Sequence, residues 1–440
     1  MGGVLRELLR DRSALCGLVL IGLLVGLSVY AVVAIPYHEA IRLWRGGETL
    51  WQENPRNARP EWVNWFLTND LPRTIVVDSQ VAPHEERSAG GSVREVRTTL
   101  GFHYPYARFP SELAVFFEAN YAQQAPQVEL TWRTPDGGEI RLTELGVGRR
   151  DVYRISSDQR LQQELGGRPD VVLFANPDKP QDVRPGRYAL GVRAYLFEPG
   201  ATLRVRLVVY GEVYGIAGTD HLRRDLSLAL LWGTPVAMAF GFVAAVGSTL
   251  STLGIAALGA WYGGWVDGLI QRVTEVNLIL PGLPILILVA TLYSRSIWVM
   301  VGVVILLGIF GGGIKTYRAL FLQVKESPYI EAARAYGARG WRIVFAYMVP
   351  RAVPVLVPQF VTLIPGFVFL EATLAVLGLG DPLLPTWGKV IEDAYRAGAL
   401  YVGQYYWVLE PAAMLVLTGG AFTLLGFALD RITNPRLREL

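Results

Sequence analysis

At 440 residues the chain could hold two or three soluble domains, yet 52% of its residues are hydrophobic and only 18% charged, where soluble domains carry about a quarter charged, so a wholly soluble protein is excluded. A net charge of +3 without any Lys/Arg-rich run leaves no electrostatic footprint for nucleic acid. A lone cysteine, Cys16, excludes an intramolecular disulfide, and His38, His84, His103 and His221 fall at no metal-ligand spacing.

A helix rises about 1.5 Å per residue and the hydrocarbon layer is about 30 Å thick, so roughly 20 apolar residues cross it. Uncharged runs of that order occupy 13–37, 226–266, 276–294, 296–314, 352–370 and 411–429. Six transmembrane helices are expected. The first run exceeds a signal-peptide core of about 7–15 residues and no small-x-small cleavage site follows, so it reads as a retained span. The second is long enough for two spans. Pro235 and the aromatic cluster Trp261-Tyr262-Gly263-Gly264-Trp265 favour one tilted or kinked helix ending in a turn.

Positive charge in short connections sets orientation. Arg6, Arg10 and Arg12 precede the first run. Lys315, Arg318, Lys325, Arg334, Arg339, Arg342 and Arg351 lie between the fourth and fifth, and Arg431, Arg436 and Arg438 follow the last. With six spans all three segments share one side, the cytoplasm. The chain then divides into a cytoplasmic N-terminus with the first helix (1–37), an extracytoplasmic domain (38–222), a five-helix core (223–430) carrying a cytoplasmic loop at 315–351, and a cytoplasmic tail (431–440).

The external segment alternates apolar and polar residues at period two, which predicts strands. Residues 127–132 and 140–142 flank the turn Pro135-Asp136-Gly137-Gly138 and read as a hairpin. Residues 188–195 and 203–210, around Glu198-Pro199-Gly200, read as a second. A mostly-β sandwich or small barrel is expected, large enough to bury a core without disulfides. Earlier, 59–66 carries Trp62, Trp65 and Phe66 in an amphipathic patch close to the membrane, read as core or interfacial packing or as contact with a solute-binding protein or with substrate.

The loop holds Tyr329-Ile330-Glu331-Ala332-Ala333-Arg334-Ala335-Tyr336-Gly337. Pro328 can start a short helix, alanine favours it, and Gly337 can end it in the left-handed region. A second helical piece runs through Trp341 and Ile343 to Pro350. Helix, glycine turn and helix make a rigid elbow.

These residues carry a resemblance. Glu331-Ala332-Ala333, Gly337 and Pro350 are similar to the EAA loop of binding-protein-dependent ABC permeases, with Tyr347 and Val349 where Ile and Leu are usual. Gly218-Thr219-Asp220-His221-Leu222-Arg223-Arg224-Asp225 resembles the segment before the second span of dipeptide/oligopeptide/nickel permeases, as do Tyr262-Gly263-Gly264 with Asp267, Arg272 and Pro281. Leu377-Gly378-Leu379-Gly380, Pro385-Thr386-Trp387-Gly388, Leu424-Leu425-Gly426 and Asn434-Pro435-Arg436-Leu437-Arg438 are also similar. The resemblance covers about 211–440 plus the first span.

It implies a permease subunit of an ATP-driven solute importer in the prokaryotic inner membrane, with peptides as the expected solute. It also implies an alternating-access pathway formed with a homologous permease as a heterodimer. Two ATP-binding subunits would dock on the loop through Glu331, Ala332, Ala333, Gly337 and Pro350, and an extracytoplasmic solute-binding protein would deliver cargo. No phosphate-binding loop occurs in the chain, so no cofactor is expected here, and ATP and Mg would sit on the partners. Gate or pathway candidates are Asp220, Arg224, Asp225, Glu371 and Trp387, with turn, cap or interfacial-packing roles as the plainer readings. Arg223 stands where the family has Gly, which implies a differently shaped turn. The external domain is larger than typical members carry. The other class, a membrane-anchored receptor or scaffold acting through its β-domain, would need no elbow. An enzyme would need paired acids or a Ser/His arrangement in the spans, and none is found.

Overall fold

The computed structural model describes residues 8, 10–82, 84–90 and 93–433. The expected signature at 434–438 and the basic residue Arg6 lie outside them. The chain divides into a helical unit, Met1–Arg45 with Leu228–Leu440, and a β unit, Gly46–Ser227.

The helical unit begins with α1 (Arg12–Ala34), which Asp11 caps by accepting from the amides of Ser13 and Ala14. The helix α2 (Tyr37–Leu50) kinks at Gly47 (φ 49°, ψ −143°), a conformation other residues resist. As a compact body the β unit begins within this helix, at residue 46, and ends at residue 227, where the helix starting at Leu226 has begun. Then follow α3 (Leu226–Tyr262), α4 (Gly264–Ile279), α5 (Gly282–Leu292), α6 (Ile297–Ile309), α7 (Gly313–Lys325) and α8 (Pro328–Ala335). The last three are α9 (Val349–Val376), α10 (Trp387–Arg396) and α11 (Tyr406–Thr433).

Among the described residues four helices are individually long and apolar enough to cross a membrane: α1, α3, the 356–376 part of α9, and α11. The long run at 226 is thus one helix, with Pro235 inside it. The runs 276–294 and 296–314, expected as continuous spans, are broken. The pair α4 and α5 bends by 79°, and α6 and α7 by 49°. Pro281 lacks an N–H and pushes Leu280 into extended backbone (ψ 130°), which stops α4. Gly311 and Gly312 separate α6 from α7. Within the connection 315–351 the expected short helix after Pro328 forms, and the second helical piece is a short turn at Gly340–Arg342 followed by a π-turn at Ile343–Met348; α7 extends to Lys325 as well.

Small residues let these helices approach closely. A methyl group on Gly17 of α1 would lie 2.8 Å from Ala421 O and 2.9 Å from Leu425 N of α11.

The β unit contains strands β1 (Ile75–Asp78), β2 (His84–Gly90), β3 (Val93–Tyr104), β4 (Glu112–Asn120), β5 (Gln127–Arg133) and β6 (Glu139–Gly146). After these come β7 (Arg150–Arg154), β8 (Ala175–Asn176), β9 (Lys179–Val183), β10 (Gly186–Leu196) and β11 (Thr202–Tyr210). One sheet has the order β1-β11-β4-β7 and the other β2-β3-β10-β5-β6, with a small β8-β9 pair beside them. Leu113, Val115 and Phe117 of one sheet share a core with Leu130, Trp132 and Leu190 of the other, so the two form a sandwich. At its centre Phe102, Trp132, Phe174 and Tyr188 pack with ring centroids 4.7–6.3 Å apart.

The structure pairs β5 with β6 as an antiparallel hairpin. The second expected hairpin does not form. β10 pairs with β3 and β5, while β11 pairs with β1 and β4 in the facing sheet. Alternation tells which side of a strand is buried; it is silent on which sheet the strand joins.

Candidate functional site

The elbow is built on α8. Pro328 occupies its first turn, where a missing N–H breaks no hydrogen bond. The helix closes on Gly337 (φ 74°): Gly337 N donates to Arg334 O at 2.9 Å and Ala338 N to Ala333 O at 3.0 Å. Two crossed bonds of this kind satisfy the last carbonyls and fix where the chain turns.

One face of α8 is anchored. Ile330 and Ala333 are buried with Ala260 of α3, Phe321 and Val324 of α7, and Met348 and Leu356 beyond the elbow. The other face is open. Glu331, Ala332 and Ala335 are exposed, Tyr336 is 92% exposed, and Tyr329, Trp341 and Phe345 are exposed nearby. Pro350 is exposed in the first turn of α9, straight after the π-turn. It cannot donate to the carbonyl four residues back, and Pro354, Pro358 and Pro365 repeat the gap along α9.

Trp261, near the end of α3, ties this elbow down. The Arg334 guanidinium lies 4.4 Å from its ring centroid. Lys325 Nζ donates to the carbonyls of Ala260 (2.8 Å) and Trp261 (2.9 Å), capping the end of α3. A methyl group on Gly340 would lie 2.7 Å from Trp261 Nε1, so only glycine fits there. A second fastening is bidentate: Arg318 of α7 donates to both oxygens of Asp267 of α4, at 2.7 and 2.5 Å. None of Trp261, Lys325, Arg334 and Arg318 was singled out from the sequence for these contacts. The available signals were an Asp and an Arg isolated in apolar surroundings and the Trp beside a Gly-Gly turn.

Glu371 and Trp387 lie elsewhere in the helical unit. Glu371 is buried in α9 against Thr386. Trp387 is 1% exposed, donates to Leu230 O at 3.0 Å and packs over Gly233 of α3 beside Ala237 and Val368. Gly388 sits so close to α9 that a methyl group would lie 2.7 Å from Ala372 Cα.

Asp220, Arg224 and Asp225 belong to a tight loop in the β unit. Arg224 Nε donates to Asp220 at 2.5 Å, and Asp220 also accepts from the amides of Leu222 and Arg224. Both side chains are buried. Burial raises the Asp220 carboxyl above its ordinary range, and the Arg224 charge opposes that shift. Asp225 accepts from Ser227 N at 2.8 Å, capping the start of α3.

The turn at Arg223, where the family has Gly, is made by a residue with a Cβ. Arg223 keeps φ at 65°, the left-handed region in which glycine is at ease. Its fully buried side chain donates to Asn54 O at 2.8 Å, pairs with Glu112 and Glu48, and covers the Tyr210 ring at 4.7 Å. Asn54 donates back to Arg223 O at 3.2 Å. These bonds hold a backbone shape that costs about 1–2 kcal/mol for a residue with a Cβ.

Bent and straight apolar helices define a polytopic helical membrane protein, and its basic segment carries a short helix with one face locked and the other bare. Residues 234–439 match the family described as binding-protein-dependent transport system inner membrane component. The glutathione transport system permease protein GsiD of Pectobacterium atrosepticum is 33% identical over 227 residues, covering 50% of this chain and 73% of that protein. The dipeptide transport system permease protein DppC of Bacillus subtilis is 28% identical (50% and 69%), and the peptidoglycan transport system permease protein YejE of Agrobacterium fabrum is 30% identical (46% and 54%). The chain belongs to the permease subunits of binding-protein-dependent ABC importers. It is a transport component rather than an enzyme, in a family that works with ATPase and substrate-binding partners.

Proposed function

We propose that the chain forms a solute pathway together with a homologous permease, and that α8 carries motion into it from one of two separate ATPase subunits. The observation that bears most weight is the division of α8. Ile330 and Ala333 are locked into the helical core, while Glu331, Ala332 and Tyr336 stand free on a backbone fixed by Gly337. A partner pressing on the free face would move α3, α7 and α9 together, which is what alternating access requires. Pro350 and the prolines of α9 give that movement places to bend.

In this reading each bent helix pair is one crossing, and four single helices with two pairs give six. Arg10, Arg12, the basic residues of 315–351 and Arg431 then share the cytoplasmic side with both termini. The β unit lies outside, where a solute-binding protein would dock. Asp220, Arg224, Asp225, Glu371 and Trp387 serve the outer end as fasteners rather than solute ligands, because each is engaged by protein groups. Relatives named for glutathione, dipeptide and peptidoglycan transport support a peptide-containing solute.

The test is co-purification of the ATPase with Gly337→Val and Glu331→Arg variants, together with solute-stimulated ATP hydrolysis. Weakened association and lost stimulation are expected. Intact complexes with undiminished stimulation would remove the docking role of α8.

A further inference from the structure

The β unit carries an apolar face that its own core does not use. The 3-10 turn Glu61–Phe66 exposes Trp65 (83%) and Phe66 (78%), with Trp62 and Leu67 also exposed and Ile216 (81%) beside them. In such a turn residues three apart share a side, which aligns Trp62 with Trp65. Phe66 meets the Trp62 ring edge-on at 6.3 Å. The backbone beneath is held on both flanks. Glu61 N donates to Gly215 O at 2.9 Å, Trp62 Nε1 donates to Ile216 O at 2.9 Å, and the Asn64 amide pairs with the Leu71 N–H and C=O at 3.0 and 3.1 Å. Held this way, the backbone presents the rings outward. A contiguous exposed face of this kind marks an interaction surface.

Chain continuity says what covers it. Leu226, first residue of α3, donates to Gly218 O at 3.1 Å, only two residues beyond Ile216. At about 3.3–3.6 Å per residue, Ile216 lies within about 10 Å of the point where α3 begins. Arg223, Arg224 and Asp225 are charged, and from Leu226 the chain is uncharged to residue 266. If α3 enters the hydrocarbon at its uncharged start, the boundary with water falls near this face. Tryptophan rings, apolar in body with one polar N–H, concentrate at that boundary. Thr68, Asn69 and Asp70 supply a polar rim on the same turn, and all three are exposed.

We infer that Trp62, Trp65, Phe66, Leu67 and Ile216 form a membrane-interface anchor, seating the β unit in the lipid headgroup region. This rests on the reading that α3 enters the bilayer at Leu226. The full chain with Cys16→Ser receives one environment-sensitive fluorophore at Phe66→Cys, Ile216→Cys or, as a control at an exposed position of the short helix Gln159–Leu165 in the β unit, Glu164→Cys. Each protein is reconstituted into phosphatidylcholine vesicles, plain or brominated near the glycerol end of the acyl chains. Alkaline extraction separately reports whether the helices are inserted. About twofold or greater quenching at 66 and 216 with none at 164 is expected for residues at the lipid interface. Undiminished fluorescence at 66 and 216 in an extraction-resistant protein would overturn the anchor while leaving the span intact. Shielding that develops only on adding the solute-binding protein would likewise overturn it, and give the face to a protein partner.

Discussion

The two units of this chain are held together by different means. The helical unit relies on small residues that bring backbones together, and it is interrupted at Pro281 and at Gly311-Gly312. Its contact residues are modest: Gly17 against α11, Gly233 beneath Trp387, Gly340 beneath Trp261. The β unit relies on large buried rings and on arginine pairs around its rim. The family match at 234–439 lies in the helical unit, and the β unit lies outside it. The family assignment therefore rests on the helical unit, and whatever the β unit does must be argued from its own surface.

The sharpest way to break this contrast is a crossed pair of variants. Trp132→Ala removes a fully buried ring and should cost the β unit about 3–5 kcal/mol, enough to expose it to protease. ATPase attachment should survive. Ile330→Asp puts an unpaired charge into the core beneath α8. Attachment should fall about tenfold or more, a loss of the order of 1.4 kcal/mol or greater, with the β unit still protease-resistant. If either variant destroys both properties, the units are not separable.

A smaller effect probes the fastening at Arg223. Arg223→Ala keeps the left-handed strain and loses the bonds to Asn54, Glu112 and Glu48. Arg223→Gly loses the same bonds but relieves the strain. Both should destabilise the β unit, the alanine variant by about 1–2 kcal/mol more than the glycine one. Thermal unfolding of the two reads the difference, and equal melting would mean that the backbone there is not strained.

The elbow was legible in the sequence because its parts are adjacent: Pro328 starts the helix and Gly337 ends it nine residues later. The hairpin around Gly137 was legible for the same reason. What stayed hidden was long-range. Asp267 and Arg318 are 51 residues apart, and Lys325 reaches a carbonyl 65 residues back. The signals for the broken spans were present in Pro281 and the glycine run, but a search for charge-free residues passes over both. The support of Arg223 was hidden for the same reason, because four neighbours distant in sequence hold its side chain in place.

Within the helical unit, Arg334→Ala removes the cation over Trp261, worth about 0.5–2 kcal/mol. Solute-stimulated hydrolysis should fall severalfold while ATPase attachment changes little, because Arg334 acts through Trp261 on α3. Equal loss of attachment would make Arg334 a direct docking contact instead.

The smallest effect belongs to the β unit and to pH. Asp78 on β1 accepts from Arg204 on β11, and this bond, opposed in part by burial, holds its carboxyl below the ordinary range. A carboxyl lowered on folding contributes stability that is fully present above its unfolded value, near pH 4, and is lost as pH falls through the folded one. The pair is partly exposed, so its contribution should be about 0.5–1 kcal/mol at neutral pH and should shrink with salt. Arg204→Met should lower the melting temperature of the β unit at pH 7 and leave it nearly unchanged near pH 2.5, so that the curves of the variant and the parent converge on acidification. Extraction of the chain from membranes should not track that convergence, because Asp78 and Arg204 lie in the β unit. A melting difference that stayed constant from pH 7 to pH 2.5 would show that Arg204 acts by packing its stem across β11 rather than through the Asp78 carboxylate.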